Sequence, residues 1–150
     1  MKVSLRATYG IIAAVDLALH HAEHPVCAKS IAKRQAIPAR FLEQVLHAMK
    51  KAGVVTSQRG AQGGCVLRRK PSELSVADIL AALGGRLLAT DGDAGSKQSS
   101  ARGSKQEALL AHIWDRVKRA ELSVLSEVTV EELAKRQRAL DEQHTLMYHI

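Results

Sequence analysis

A chain of 150 residues with 46% hydrophobic side chains has room for one core and an appended pairing element, and is cramped for a two-domain enzyme. Its formal net charge of +7 is unevenly placed: residues 1–70 carry 12 Lys+Arg against 3 Asp+Glu, a net of +9, while residues 71–150 carry 10 against 12, a net of −2. No stretch approaches the roughly 18 unbroken apolar residues of a membrane span, the amino terminus shows no secretory pattern, and two cysteines are too few for a disulfide framework.

These limits point to a cytoplasmic protein with no membrane partner. The basic excess of the first half is the electrostatic footprint of a surface that neutralises nucleic-acid phosphates. Charge alone would equally suit RNA or an anionic membrane, or a merely solvated basic face, so the motifs have to decide.

In chain order, Leu5 to His20 reads as a helix. Ala7, Ile11, Ala14, Val15, Ala18 and Leu19 recur at three- and four-residue spacings with Asp16 almost the only polar interruption, which predicts a largely buried helix. His20, His21 and His24 follow before Pro25. Without a further acid or cysteine at ligand spacing, this triplet is expected to be an exposed helix end rather than a metal site.

A short helix from about Val26 to Arg34 is expected next, then the turn Gln35-Ala36-Ile37-Pro38, then a second helix to about Ala52. Pro38 suits a first helical turn, where its missing N–H costs nothing. Phe41, Leu42, Val45, Leu46 and Met49 form one apolar stripe of this second helix, and Arg40, Glu43, Gln44, His47, Lys50 and Lys51 form the opposite one.

Gly53 supplies the stop. Val54 to Ser57 and Cys65 to Leu67 read as two short strands joined by the glycine-rich turn Gln58-Arg59-Gly60-Ala61-Gln62-Gly63-Gly64. Two helices joined by a tight turn, followed by a hairpin with Arg and Gln at its tip, give the element order of a winged helix-turn-helix.

Ser75-Val76-Ala77-Asp78 has capping-box spacing and opens a short helix to Leu83. From about Thr90 to Lys105 the composition is Gly, Ser, Ala, Asp and Lys with no apolar period, which reads as a flexible loop. Beyond it Leu110, Ile113, Val117, Ala120 and Val124 step by three and four residues, broadened by Leu109, Trp114 and Leu125. That is more apolar helix than one small domain covers. Pairing with the same helix of a second copy is preferred over packing on the chain's own domain, because two-fold symmetry also matches palindromic DNA. The dimerisation candidates are Leu110, Ile113, Trp114, Val117 and Val124. Thr129-Val130-Glu131-Glu132 repeats the capping spacing and opens a last short helix.

The fold expected is therefore mainly α with a small β-hairpin: a winged helix-turn-helix domain over 1–85, a flexible loop over 86–106, and a long dimerisation helix with a C-terminal helix over 107–150. No Ser/His/Asp or Cys/His constellation and no phosphate-cradling loop before a helix is present, so an enzyme is not expected and no catalytic residue is assigned.

Several stretches carry a family resemblance: Met1-Lys2-Val3-Ser4-Leu5-Arg6 with Tyr9, Ile31 to Gln35 with Ile37-Pro38, Phe41 to Leu46, and above all the block Leu46 to Leu67. Ser75 to Ile79, Ile113-Trp114 and Val128 to Leu133 extend it. Together they resemble the Rrf-two (Rrf2) family of bacterial transcriptional regulators over nearly the whole chain except the loop. The resemblance implies a homodimeric repressor that binds a palindromic operator in double-stranded DNA. The second motif helix would enter the major groove and the wing the adjacent minor groove.

Carried over by position, Glu43 and Gln44 are the base-reading candidates, with Ala39 and Arg40 at the start of the same helix. A carboxylate accepts from cytosine N4 and an amide pairs with adenine. Arg59 is the minor-groove candidate, and Lys2, Arg6, Lys29, Lys50 and Gln62 are phosphate contacts that position the protein.

Iron-sulfur members of the family hold their cluster with three closely spaced cysteines in the loop before the long helix, some adding an acidic side chain at a position equivalent to Thr8. Residues 87–106 of this chain contain no cysteine. No cofactor and no metal are therefore expected, and the signal would be a regulatory protein, a small-molecule effector or a thiol modification. Small apolar packing is the expected role of Cys27 and Cys65; a thiol-sensing repressor is the alternative, as is a winged-helix module that binds protein instead of DNA.

Overall fold

The computed structural model describes residues 4–20, 24–84 and 105–149. Among the described residues, six helices and one hairpin run in the order α1 (Leu5–His20), α2 (Ala28–Gln35), α3 (Ala39–Lys51), β1 (Val55–Gln58), β2 (Gly64–Leu67), a 3-10 turn (Pro71–Glu73), α4 (Val76–Ala82), α5 (Lys105–Glu127) and α6 (Val130–Tyr148). This is the mainly helical winged helix-turn-helix that the element order implies.

The core forms around α1, whose Ala13, Ala14 and Leu17 are fully buried. From α3, Leu42, Val45, Leu46 and Met49 turn inward at the three- and four-residue spacing of a single helical face, meeting Ile31 of α2, Leu74, Ile79 of α4 and Val130 of α6. Phe41 stands at the edge of this core, edge-to-face with Tyr9 of α1 at 5.3 Å between ring centroids. Apart from Ala39 in the first turn, the exposed side chains of α3 are polar, so burial of one stripe fixes which stripe is presented to solvent.

Local signals account for the boundaries. At the end of α2, Ala36 takes a left-handed conformation (φ 51°), and the Ala36 and Ile37 N–H groups both return to Ala32 O. This tight reversal sets α3 against α2. At the end of α3, Gly53 (φ 78°) is the left-handed residue after the cap, and the Val54 N–H reaches back to Met49 O at 2.9 Å. Ser75 and Asp78 form the full reciprocal box, Asp78 N–H donating to Ser75 Oγ at 3.1 Å and Ser75 N–H to Asp78 Oδ2 at 3.0 Å. Thr129 caps α6 by accepting the Glu132 N–H at 3.2 Å.

The hairpin is antiparallel, with Val55 opposite Leu67 and Gln58 opposite Gly64. Two isolated bridges then tie distant segments. Val26 exchanges both backbone hydrogen bonds with Cys65, at 2.9 and 2.8 Å, so the wing is fastened to the chain just before α2. Ser75 pairs with Thr129, which places the capping residues of α4 and α6 side by side.

Both strands and the end of α4 shift by one residue from the sequence expectation, and three boundaries differ by more. Residue Val26 belongs to its bridge, so α2 starts at Ala28. Lys105 and Gln106, assigned to the loop, open α5; the rest of that loop lies outside the described residues. The last helix is not short. It runs 19 residues, because after the Thr129 cap no glycine or proline interrupts a sequence of strong helix formers.

Candidate nucleic-acid interface

The outward stripe of α3 and the first turn of α1 face each other across a groove of about 570 Å³. Arg6 lines it from α1, and Arg40, Glu43, Gln44, His47 and Lys51 line it from α3, with Ala48 between the two helices. Four of the DNA-contact candidates, Arg6, Arg40, Glu43 and Gln44, are thus brought to one site. His47 and Lys51 share it; the stripe contained both, but amphipathic periodicity does not rank residues within a face.

The remaining candidates surround this groove or lie apart from it. Ala39 is exposed at the first residue of α3, Lys29 on α2 and Lys50 at the end of α3. Arg59 is exposed in the β1–β2 turn, as a wing-tip residue must be to reach a groove. Gln62 lies in the same turn but lines a second cleft of about 470 Å³ with His20, His24, Cys27, Ser30 and Arg34. Lys2 and His21 lie outside the described residues.

One functional element escaped the sequence reading. Asp16, which registers there only as a polar interruption, is the one buried polar residue among the described residues. Its carboxylate accepts from Arg34 and Gln35 at the end of α2, while His20 Nδ1 stands 2.8 Å from its backbone oxygen. This anchors the helix that leads into α3. Local spacing does not signal it, since Arg34 and Gln35 are 18 and 19 residues away in sequence.

The cysteines separate. Cys65 on β2 is buried, and burial pushes its thiol upward, the nearby Cys27 adding to the rise and Lys50 opposing it. Cys27 is exposed at the cap position of α2, so the packing role expected for it is not met. The reason is alternation: Val26 takes the inward position opposite Cys65, and its neighbour points away. Among the described residues no group of three His, Cys, Asp or Glu side chains has metal-binding geometry, and none of the helices is long and apolar enough to cross a membrane.

The apolar stripe of α5 lies open. None of its residues is buried, and Leu110, Ile113, Trp114, Val117 and Val124 are between 46% and 61% exposed. Toward its C-terminal end α5 meets the domain, where Leu125 packs on Ala7, Val76 and Leu80.

Comparison with known proteins places these features. Residues 3–136 match the Rrf2 family model, described as iron-dependent transcriptional regulator. The chain is 32% identical to the HTH-type transcriptional regulator CymR of Bacillus subtilis over 150 residues, all of both chains. It is 41% identical to protein rrf2 of Nitratidesulfovibrio vulgaris over 83 residues, 55% of each. Among solved structures it is similar to T. potens IscR (TM-score 0.72, 35% identity, 91% of this chain and 88% of that one) and to CymR of B. subtilis (TM-score 0.70, 31% identity, 91% and 98%).

Proposed function

The chain belongs to the Rrf2 family of transcriptional regulators, and from that premise we propose that it is a cytoplasmic homodimeric repressor that binds a palindromic operator and blocks transcription by occupying it. The observation that carries this reading is the groove between α1 and α3. Arg40, Glu43, Gln44, His47 and Lys51 share one exposed face of the second motif helix, the element that such domains place in the major groove, and Arg6 of α1 joins them in lining the groove.

Phosphate contacts from Arg6, Lys29 and Lys50, joined by Lys2, give affinity and register, while Glu43 and Gln44 read base edges. Arg59 at the wing tip reaches the minor groove, where narrow A·T-rich segments attract guanidinium. The net of +9 over residues 1–70 favours DNA over an acidic-patch-free protein partner for this face. The family's role is regulatory rather than enzymatic, and the groove holds no nucleophile paired with a base.

Two copies would meet along α5. The stripe from Leu110 to Val124 is continuous, and covering it removes from water the exposed side chains of Leu110, Ile113, Trp114, Val117 and Val124.

The donor set does not fit the iron-sulfur cluster of the family's cluster-bearing members. Such clusters are held by closely spaced thiolates, and this chain has two cysteines, one buried in a strand and one at a helix cap on the other side of the bridge. A signal without a cluster follows. Cys27 supplies a second reading as a thiol sensor, since it is the exposed thiol and stands beside the wing attachment.

Binding to the selected operator and to random duplex DNA tests the first reading: Glu43→Ala and Arg59→Ala should weaken the operator complex by tenfold or more and the random complex little. Equal losses on both would overturn it. For the second reading, Cys27→Ser combined with Cys65→Ser should abolish peroxide-induced release; unchanged release would remove it.

A further inference from the structure

Glu43, Gln44 and His47 occupy i, i+1 and i+4 of α3, which puts all three on one side of the helix, and all three are exposed. The cations stand around them: Arg40 in the first turn, Lys51 at the last helical residue, and Arg6 across the groove on α1. Charges at such a rim serve phosphates, which carry no sequence information, whereas the groups between them face the base edges. No hydrogen bond or ion pair with another described residue engages the His47 imidazole.

We propose that His47 is a third base-reading residue, donating an imidazole N–H to guanine at a base pair different from the one that Glu43 contacts. The proposal rests on the DNA-binding reading above. Four residues of helix advance about 6 Å, close to two base-pair steps of ~3.4 Å each, so the two side chains reach different base pairs. The chemistry then separates them. Guanine offers two acceptors, N7 and O6, to the major groove, and cytosine a donor, N4. Imidazole supplies an N–H donor in every protonation state, while a carboxylate only accepts. His47 therefore suits guanine and Glu43 cytosine. Ala48, the small residue next to His47, lines the same groove.

The test is selection of binding sequences from a pool of random duplex DNA by the full chain, run in parallel for wild type, His47→Ala, His47→Gln and Glu43→Ala. The expected result is a guanine preference in each half-site that His47→Ala loses at that base pair alone, that His47→Gln shifts toward adenine, and that Glu43→Ala leaves in place while losing a preference elsewhere. Affinity of His47→Ala for the wild-type consensus falls about tenfold, with random-DNA affinity unchanged. An unaltered motif in His47→Ala, or an equal loss on consensus and random DNA, overturns the proposal and leaves operator recognition standing. Failure of the wild-type chain to enrich any motif overturns both. His47 is exposed, so the variants fold, and thermal unfolding checks this.

Discussion

The carboxylate of Asp16, wholly buried in α1, accepts two hydrogen bonds from the Arg34 guanidinium of α2, from Nη2 at 2.6 Å and Nε at 3.1 Å. Gln35 Nε2 adds a third at 2.8 Å. The arrangement holds the end of α2, and hence the Ala36 reversal into α3, at a fixed place on the first helix. Asp16→Ala should cost roughly 2–4 kcal/mol, toward the lower part of the range for breaking a buried pair because Arg34 is 38% exposed and can turn to water. Urea unfolding measures it, and a loss under about 0.5 kcal/mol would contradict the anchoring role.

The same carboxylate sets an acid limit. Burial alone would raise it, but the hydrogen bonds from Arg34 and Gln35, with the charges of Arg34 and His20, leave it below its ordinary value of 3.8. A folded value below the unfolded one gives stability that is fully present above the unfolded value and is lost as pH falls through the folded one. Stability should therefore be level from pH 7 to about 5 and decline below about 4. Asp16→Asn should flatten that decline without abolishing it, since the Ser75 backbone N–H likewise holds Asp78 low. An acid limb identical to wild type would show that other carboxylates govern it.

Gly64 is where the wing approaches the backbone before α2. A Cβ there would stand 2.6 Å from both the carbonyl carbon and oxygen of Val26, the residue bridged to Cys65. Gly64→Ala should push the wing away, costing about 1–3 kcal/mol as overpacking does. Operator affinity should fall with it, because Arg59 rides on the displaced hairpin. Faster amide exchange at Val26 and Cys65 is the direct readout; unchanged protection at both would refute the clash.

Ile113 and Val117 sit at the centre of the open α5 stripe, 47% and 46% exposed. Ile113→Glu with Val117→Glu should convert a dimer to a folded monomer in sedimentation equilibrium, because no α5 side chain is part of the buried core. Operator affinity should drop by about 100-fold or more as the second half-site contact becomes bimolecular. A doubly substituted chain that stays dimeric would assign pairing to another surface.

Much of this molecule is written in short-range signals. The three- and four-residue apolar spacings of α1 and α3, Gly53 after the last turn, the Ser75 and Asp78 pair and the Thr129 cap each act within a helical turn, so they can be read without a fold. The length of α6 was not read from the sequence, which suggested a short helix, because its exposed face has no apolar period to mark how far it runs. Glu43, Gln44, Arg40 and Arg59 were identified from position within the motif, and the groove collects the first three with Arg6.

By itself, then, the sequence determined the order and kind of the elements, the concentration of positive charge in the first 70 residues, and which stripe of α3 is apolar, since each depends on neighbours along the chain. Only the tertiary structure decided that Arg6 faces the outward stripe of α3 across one groove, that Asp16 receives Arg34 and Gln35, and that Cys65 turns inward while Cys27 turns out. Those relationships join segments that local propensity treats independently. They exist because the buried stripes of α1, α2 and α3 pack in one arrangement, and that packing sets which polar groups meet on the outside.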